Sequence, residues 1–422
     1  MAGGKRLSIC YAAPGSNLVG TAGTTRNVLN LADALSDWAD VTVAFRRIEN
    51  PSASQRYRAM AIEPEAPRAR AFKDDNAVRG LHPLAHLTYC RTLWSFAASH
   101  AADFDIVLEK GWRLSGYLCA AFRRHGVPGV LVENDLRLWM EPVTGLGSAA
   151  KYSLHVLAEF VSRASCRRLP GIIAETDELK ALLVAQRGIP PDRIDVVGLG
   201  VDHDLFRPMN QSEIRAAHGI APDAVVLLYV GAMDEYHDLE PVIDALGRVR
   251  QPAMELHVVG EGEYRARCQA KATAAGIRAR FYGFVPHAQV PAHIAAADLC
   301  LAPYRTRAFH DGRVTFSTLK IPEYMACARP AVSVPSGSTT RLIEHGVSGF
   351  VLPNDGPSWV AFLNALPARD RLASMGCAAA RAVVPISWNT TARRYFEVCE
   401  QRIGTPQPRV EARLPHADPH GR

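Results

Sequence analysis

Residues 315–353 read TFSTLKIPEYMACARPAVSVPSGSTTRLIEHGVSGFVLP. The stretch opens on a polar loop, Thr315-Phe316-Ser317-Thr318, and passes into an amphipathic helical pattern carrying Lys320 and Glu323. A short apolar strand follows, then a Gly/Ser loop, a second short helix and a last strand, GFVLP. Strand, loop and helix in that order make half of an open α/β sheet. In such sheets ligands collect at the carboxyl ends of the strands, and helix N-termini with unpaired N–H groups favour phosphate.

The same alternation extends in both directions. LSICYAA (7–13), DVTVAF (40–45), DIVLEK (105–110), GVLVE (129–133) and GIIAET (171–176) read as buried strands, with helical patterns between them such as Thr25–Ser36 and Ser115–His125. A second series comprises VVLLYV (225–230), MELHVV (254–259), ARFYGF (279–284), ADLCLAP (297–303) and PAVSV (330–334). Short apolar strands alternating with helices predict an α/β protein with doubly wound parallel sheets. At 422 residues the chain exceeds one typical core. Two tandem Rossmann-like domains are therefore expected, 1–200 and 201–385, with a boundary near Gly198–Pro208. After Pro353 the pattern turns helical through about Gln401, and 386–402 reads as a terminal helix. The Pro-, Arg- and His-rich tail, 403–422, has no periodicity and reads as disordered.

Composition narrows the function classes. No apolar run approaches the roughly 18 residues a membrane span needs, and MAGGKRLSICYAA enters a strand pattern with no signal-peptide core. The nine cysteines are scattered without CxxC or ligand spacing, as expected of reduced thiols in a cytoplasmic protein. The net charge of +6 is mildly basic. No dense Lys/Arg run alternates with aromatics, so nucleic acid is not an expected partner. Anionic phosphates or an acidic membrane surface suit the charge equally. Arg68, Arg70, Lys73, Arg79, Arg123, Arg124, Arg167 and Arg168 are the basic set that would meet such a surface at the inner face of a membrane, ordinary solvated arginines being the alternative. Asp103-Phe104-Asp105 has the form of a DxD metal motif but runs straight into a strand, where acids are common, and is rejected as a metal site.

Glu323-Tyr324-Met325-Ala326-Cys327-Ala328-Arg329-Pro330 resembles the nucleotide-sugar site of retaining GT-B glycosyltransferases of family 4 (group 1). The resemblance covers most of the chain and is more specific toward the C-terminal half. It implies two Rossmann-like domains facing a ligand cleft, with the terminal helix crossing back onto the first. The donor substrate would be a nucleotide diphosphate sugar, with no metal and no cofactor. Glu323 would hold the donor ribose, a carboxylate being able to accept from two vicinal hydroxyls. Lys320 matches the lysine of an "SPLK" variant of the preceding loop. Phe316, Ser317 and Thr318 would offer backbone N–H groups to phosphate, and Arg313 a further charge, with a solvated arginine the alternative.

Several positions depart from the family's pattern. Thr315 stands where many members place a first Glu that contacts the donor sugar. After the first strand of the second domain the family has an Arg and a Lys for the diphosphate; here Gly231 is followed by Ala232, and His237 takes the lysine's place, able to donate to phosphate or, as an imidazolium, to neutralise it. Gly260, in VVGEGEYR (258–265), would permit a tight bend near the base, and Phe284 and Val285, in GFVPH (283–287), would wall it. GLGVDHDLF (198–206) is similar to the family's interdomain linker. In the first domain Gly20 and Gly23 would let backbone approach the diphosphate, with Thr24 and Thr25 at the helix start. Glu133 and Asn134 fall where relatives place a His facing the donor sugar, and with His237 they are the candidates for the catalytic positions. The expected activity is retaining transfer to an acceptor hydroxyl of a glycan, a lipid-linked sugar or a small molecule. A degenerate, non-catalytic nucleotide-sugar sensor or partner subunit is the alternative, and a two-domain epimerase the third reading.

Overall fold

The computed structural model describes residues 6–18, 23–48, 56–63, 83–136, 144–249, 254–309 and 312–403. In its N-terminal half β1 (Ser8–Ala13), β2 (Asp40–Phe45), β3 (Arg58–Ala61), β4 (Ile106–Lys110), β5 (Gly129–Glu133), β6 (Gly171–Ala174) and β7 (Ile194–Val196) form one sheet in the order 3-2-1-4-5-6-7. In the C-terminal half β8 (Val225–Val230), β9 (Met254–Val259), β10 (Arg278–Gly283), β11 (Leu299–Ala302), β12 (Ala331–Ser333) and β13 (Gly349–Val351) form a second, in the order 10-9-8-11-12-13. Every neighbouring pair is parallel. The strand order reverses between β1 and β4 and between β8 and β11, which opens a crevice at the carboxyl edge of each sheet.

The helices explain why the strands read as mainly apolar runs. α1 (Gly23–Leu35), α2 (Pro83–His100), α3 (Tyr117–Arg123), α4 (Leu146–Cys166) and α5 (Asp177–Arg187) accompany the first sheet. α6 (Gln211–Ala217), α7 (Glu240–Arg248), α8 (Arg265–Ala274), α9 (Val290–Ala296), α10 (Lys320–Ala326), α11 (Ser338–Leu342), α12 (Gly356–Asn364) and α13 (Arg369–Val383) accompany the second. Two apolar clusters lie on the N-terminal sheet and two on the C-terminal one, so alternate residues of a strand both find apolar neighbours. β3 and β7 are the strands the sequence pattern does not reveal. Each has four residues or fewer and lies at an edge, where alternation is too short to register.

The last helix, α14 (Trp388–Ile403), belongs by sequence to the end of the chain and by packing to the first sheet. Its Trp388, Ala392, Tyr395, Val398 and Cys399 share a core with Ile9, Tyr11 and Val28. The interdomain linker runs against its first turn: Thr391 Oγ1 donates to Gly198 O at 3.2 Å. A Cβ on Gly200 would stand 2.4 Å from Trp388 N, which is why that position carries no side chain.

Candidate active site

Two loops press backbone against backbone beyond β8 and β9. Gly260 has φ 130° and Gly262 φ 155°. A Cβ on the first would lie 2.0 Å from Gly231 O and on the second 2.2 Å from Met233 O, so both loops require glycine. Lys320, the first residue of α10, comes up beneath this junction. A Cβ on Gly231 would meet Lys320 Nζ at 2.8 Å. The ammonium donates to Tyr229 OH at 3.3 Å and lies 4.6 Å from the Tyr229 ring centroid and 5.5 Å from that of Tyr304. Burial pushes Lys320 down to about 7, while Asp234 and Glu323 act to hold its proton.

His237 packs 5.3 Å from Tyr304, with Nδ1 2.8 Å from Asp234 Oδ1. Burial, with Lys320 nearby, pushes it down to about 4, so the ring is neutral at pH 7. A carboxylate only accepts, so Nδ1 carries the hydrogen and Nε2 a lone pair. A donor phosphate would therefore meet that lone pair rather than the imidazolium expected from the sequence. The Ala232 carbonyl accepts from Tyr229 OH, and Ala232 brings no side-chain charge to the corner that Lys320 enters.

Glu323 lies one helical turn beyond Lys320, 3.6 Å from His287 Nε2. Burial pushes its carboxyl up, against the pull of His287, Lys320 and Arg26. Arg26 belongs to α1, so charge from the N-terminal half acts on the candidate ribose site across the cleft. Phe284 is 56% exposed, a ring surface open to stacking, whereas Val285 is half-buried in the core. Arg313 is exposed and its charge acts on Glu178 rather than on this corner. Gly20 lies outside the described residues. Gly23 and Thr24 form the start of α1, and the side chain of Thr24 is likewise outside them.

The third corner joins the two halves. Glu133 ends β5 but turns inward, where Arg187 takes its carboxylate at 2.8 Å and Glu159 at 2.8 Å on the other side. Of the two candidates on that strand end it is Asn134, the next residue, that faces the loop side. Its Nδ2 donates to Glu175 Oε1, and its buried Oδ1 has no partner. Glu175 follows β6 and reaches across to accept from Ser317 N at 3.3 Å. Thr315 Oγ1 donates to Asp135 Oδ1 at 3.2 Å, and its carbonyl accepts from Thr176 Oγ1. Burial pushes Glu175 up to about 7, with Lys110 and these hydrogen bonds acting against it. Phe316 packs on Tyr304 and Phe309, and Thr318 accepts from Tyr304 OH at 2.6 Å, so the loop is pinned from below. A cavity of about 350 Å³ adjoins this corner, bounded by Glu175, Leu199, Ser317, Pro322 and Ile386 among others.

Asp135, Glu175, Lys110, Asp234 and His287 lie beside the candidate residues, and the sequence analysis does not name them as candidates. The available signal was position: Glu175 follows β6 directly and Asp135 lies two residues past β5, on the edge where ligands bind in such sheets. The two acids of 103–105 are engaged elsewhere, Asp105 accepting from Ser8 N at 2.8 Å and Asp103 lying 2.9 Å from His100 Nδ1.

Residues 21–205 match the model of "Glycosyltransferase Family 4", and residues 224–366 that of "Glycosyl transferases group 1". A D-inositol 3-phosphate glycosyltransferase of Geodermatophilus obscurus is 30% identical over 310 residues, a match covering 70% of this chain and 66% of that protein. Its counterpart in Thermomonospora curvata is 29% identical, covering 72% of each. Among solved structures, sucrose-phosphate synthase from Thermosynechococcus elongatus superposes with a TM-score of 0.74 at 17% identity, over 94% of this chain and 99% of that one. Anabaena Alr3699/HepE, in complex with UDP-glucose, superposes with a TM-score of 0.70 at 18% identity, over 94% and 100%. Two facing parallel sheets, each half matched by its own domain model, place this chain in glycosyltransferase family 4, group 1, with the GT-B fold.

Proposed function

We propose that the protein transfers a glycosyl unit, with retention, from a nucleotide diphosphate sugar to an acceptor hydroxyl. The observation that carries this reading is the pairing of Lys320, held between two tyrosine rings under Gly231, with Glu323 one turn further along the same cleft wall. A cation and a diol-binding carboxylate at that spacing suit the diphosphate and the ribose of one ligand. The solved relative in complex with UDP-glucose makes UDP-glucose the first donor to try. With Glu133 committed to Arg187, the leaving diphosphate oxygen is the base that takes the acceptor proton, and the protein contributes positioning and charge. Retention is tested by the anomeric configuration of the product in NMR. Glu323→Gln is expected to weaken UDP binding about 10- to 100-fold in calorimetry, the worth of hydrogen bonds to a charged group. Unchanged affinity would remove Glu323 from the site, and UDP-glucose binding without turnover over an acceptor panel would favour the sensor reading.

The acceptor is met, in this reading, at an anionic membrane surface. α4 turns Ala158, Ser162 and Ser165 toward the protein and leaves Leu146 93%, Leu157 59% and Phe160 69% exposed. Arg167 and Arg168 follow its last turn, exposed, with Arg124 also exposed and Arg123 donating to Arg168 O at 2.9 Å. An apolar outward face with a basic end suits the interface of an acidic bilayer. Arg68, Arg70, Lys73 and Arg79 lie outside the described residues. Leu157→Glu/Phe160→Glu is expected to reduce sedimentation with phosphatidylglycerol-containing vesicles at least several-fold. An unchanged bound fraction would move the contact elsewhere.

A further inference from the structure

The segment that joins the two halves ends against the candidate ribose carboxylate. Near the end of GLGVDHDLF (198–206), Asp202 Oδ1 accepts from Asp204 N at 3.0 Å and Leu205 N at 3.1 Å. Asp202 O accepts from Phe206 N at 2.8 Å, which closes the turn. The turn delivers Phe206, fully buried, into the core of the C-terminal half. His203 Nε2 donates to Ile386 O at 3.0 Å, so the same turn is tied to the chain's second crossing between the halves. The ring of His287, in the turn after β10, packs edge-on to Phe206 with centroids 5.2 Å apart. Its Nε2 stands 3.6 Å from Glu323 Oε1, an ion-pair contact longer than a full hydrogen bond. Among the described residues no other side chain pairs with that carboxylate, while Lys320 and Arg26 act on it as charges. A carboxylate that accepts from two hydroxyls of one ring works in one orientation, and side-chain freedom kept until binding weakens the hold.

We propose that His287, braced by Phe206, is the positioning residue of Glu323. A carboxylate only accepts, so Nε2 of His287 carries the hydrogen that faces Oε1. With Oε1 held, Oε2 and the remaining lone pair of Oε1 are turned to the two ribose hydroxyls. The assignment rests on the ribose reading of Glu323 given above. It makes the interdomain linker part of the nucleotide site: Phe206 supports the ring that aims the carboxylate, and His287 acts on the ligand through Glu323.

The test measures preference for ribose over 2′-deoxyribose. Calorimetry on the full chain compares UDP with 2′-deoxy-UDP, and GDP with 2′-deoxy-GDP. The variants are His287→Leu, His287→Ala, His287→Gln, Glu323→Ala and Glu323→Ala/His287→Leu. His287→Leu keeps apolar bulk against Phe206 and loses the donor. The ratio of ribo to deoxy affinity is expected to fall at least about 3-fold, with affinity for the deoxy form kept within about 2-fold. His287→Ala should show the same loss and serves should the leucine variant not fold. His287→Gln, whose amide can donate in place of the imidazole, should return the ratio to within about 2-fold of wild type. In the Glu323→Ala background His287→Leu should change the ratio no further, because the partner it aims is gone. An unchanged ratio in the leucine and alanine variants overturns the proposal, as does a glutamine variant no better than leucine. So does an equal loss for both nucleotide forms, or a loss that persists without Glu323; either makes His287 a packing residue of its turn. If the wild-type chain binds no nucleotide of the four, shows no preference for ribose, or keeps that preference in Glu323→Ala, the ribose reading itself fails and takes the proposal with it.

Discussion

Lys320→Met is expected to lower donor turnover by about 10²- to 10³-fold while leaving the fold intact, the usual effect of removing one preorganised charge from developing leaving-group charge. Tyr229 and Tyr304 flank the ammonium, and Met keeps the length and apolar contact of the stem. Ala232 has no side-chain charge to share the work, and His237 is neutral at pH 7. The pH profile provides a second readout. Burial pushes Lys320 down to about 7, so in the free protein it loses its proton as pH rises through 7. The diphosphate binds the protonated form. Binding therefore takes up a proton above pH 7, and affinity for UDP-glucose should fall with pH, approaching about tenfold per unit. Calorimetry between pH 6 and 9 reads this slope, which Lys320→Met should abolish. A wild-type profile that stays flat would place the ammonium away from the phosphates.

Arg187→Met should be the most damaging single change to stability. Its guanidinium neutralises Glu133 at 2.8 Å inside the N-terminal half and holds Glu159 at 2.8 Å nearer the surface. Removing it leaves a buried carboxylate unpaired, at a cost of about 3–5 kcal/mol, or a melting temperature lower by roughly 10 °C. Glu133→Gln/Arg187→Met should recover much of that loss, because the double variant no longer buries a lone charge. If the double variant melts no higher than the single one, packing by the Arg187 stem, not charge, is what the residue contributes. Nucleotide affinity measured on the folded fraction should change little in either variant, since Glu133 points away from the loop at 315–318.

How much of this was legible beforehand differs from residue to residue. β1, β2, β4, β5 and β8 could be read because burial on both faces writes a local, mainly apolar run into each. β3, RAMA, and β7, IDV, are too short to carry such a pattern. Lys320 and Glu323 were legible through the phrase that resembles the family's, and one helical turn keeps the two side by side. Glu133 and Asn134 show the opposite case. They are neighbours on one strand end, yet one is taken by an arginine 54 residues away and the other joins Glu175, 41 residues on. No local pattern distinguishes them.

The sequence by itself determined the α/β class, the tandem pair of parallel sheets and the cation-carboxylate pair at the start of α10. The first two depend on periodicity within short stretches of chain, and the pair on a local phrase that resembles the family's. Only the tertiary structure decided which acids face the cleft. Asp135 meets Thr315 across 180 residues and Glu175 meets Ser317 across 142. Those meetings follow from which strands lie side by side and how the two halves close. Side-chain periodicity encodes neither, because it reports that a strand is buried and not what its end will touch.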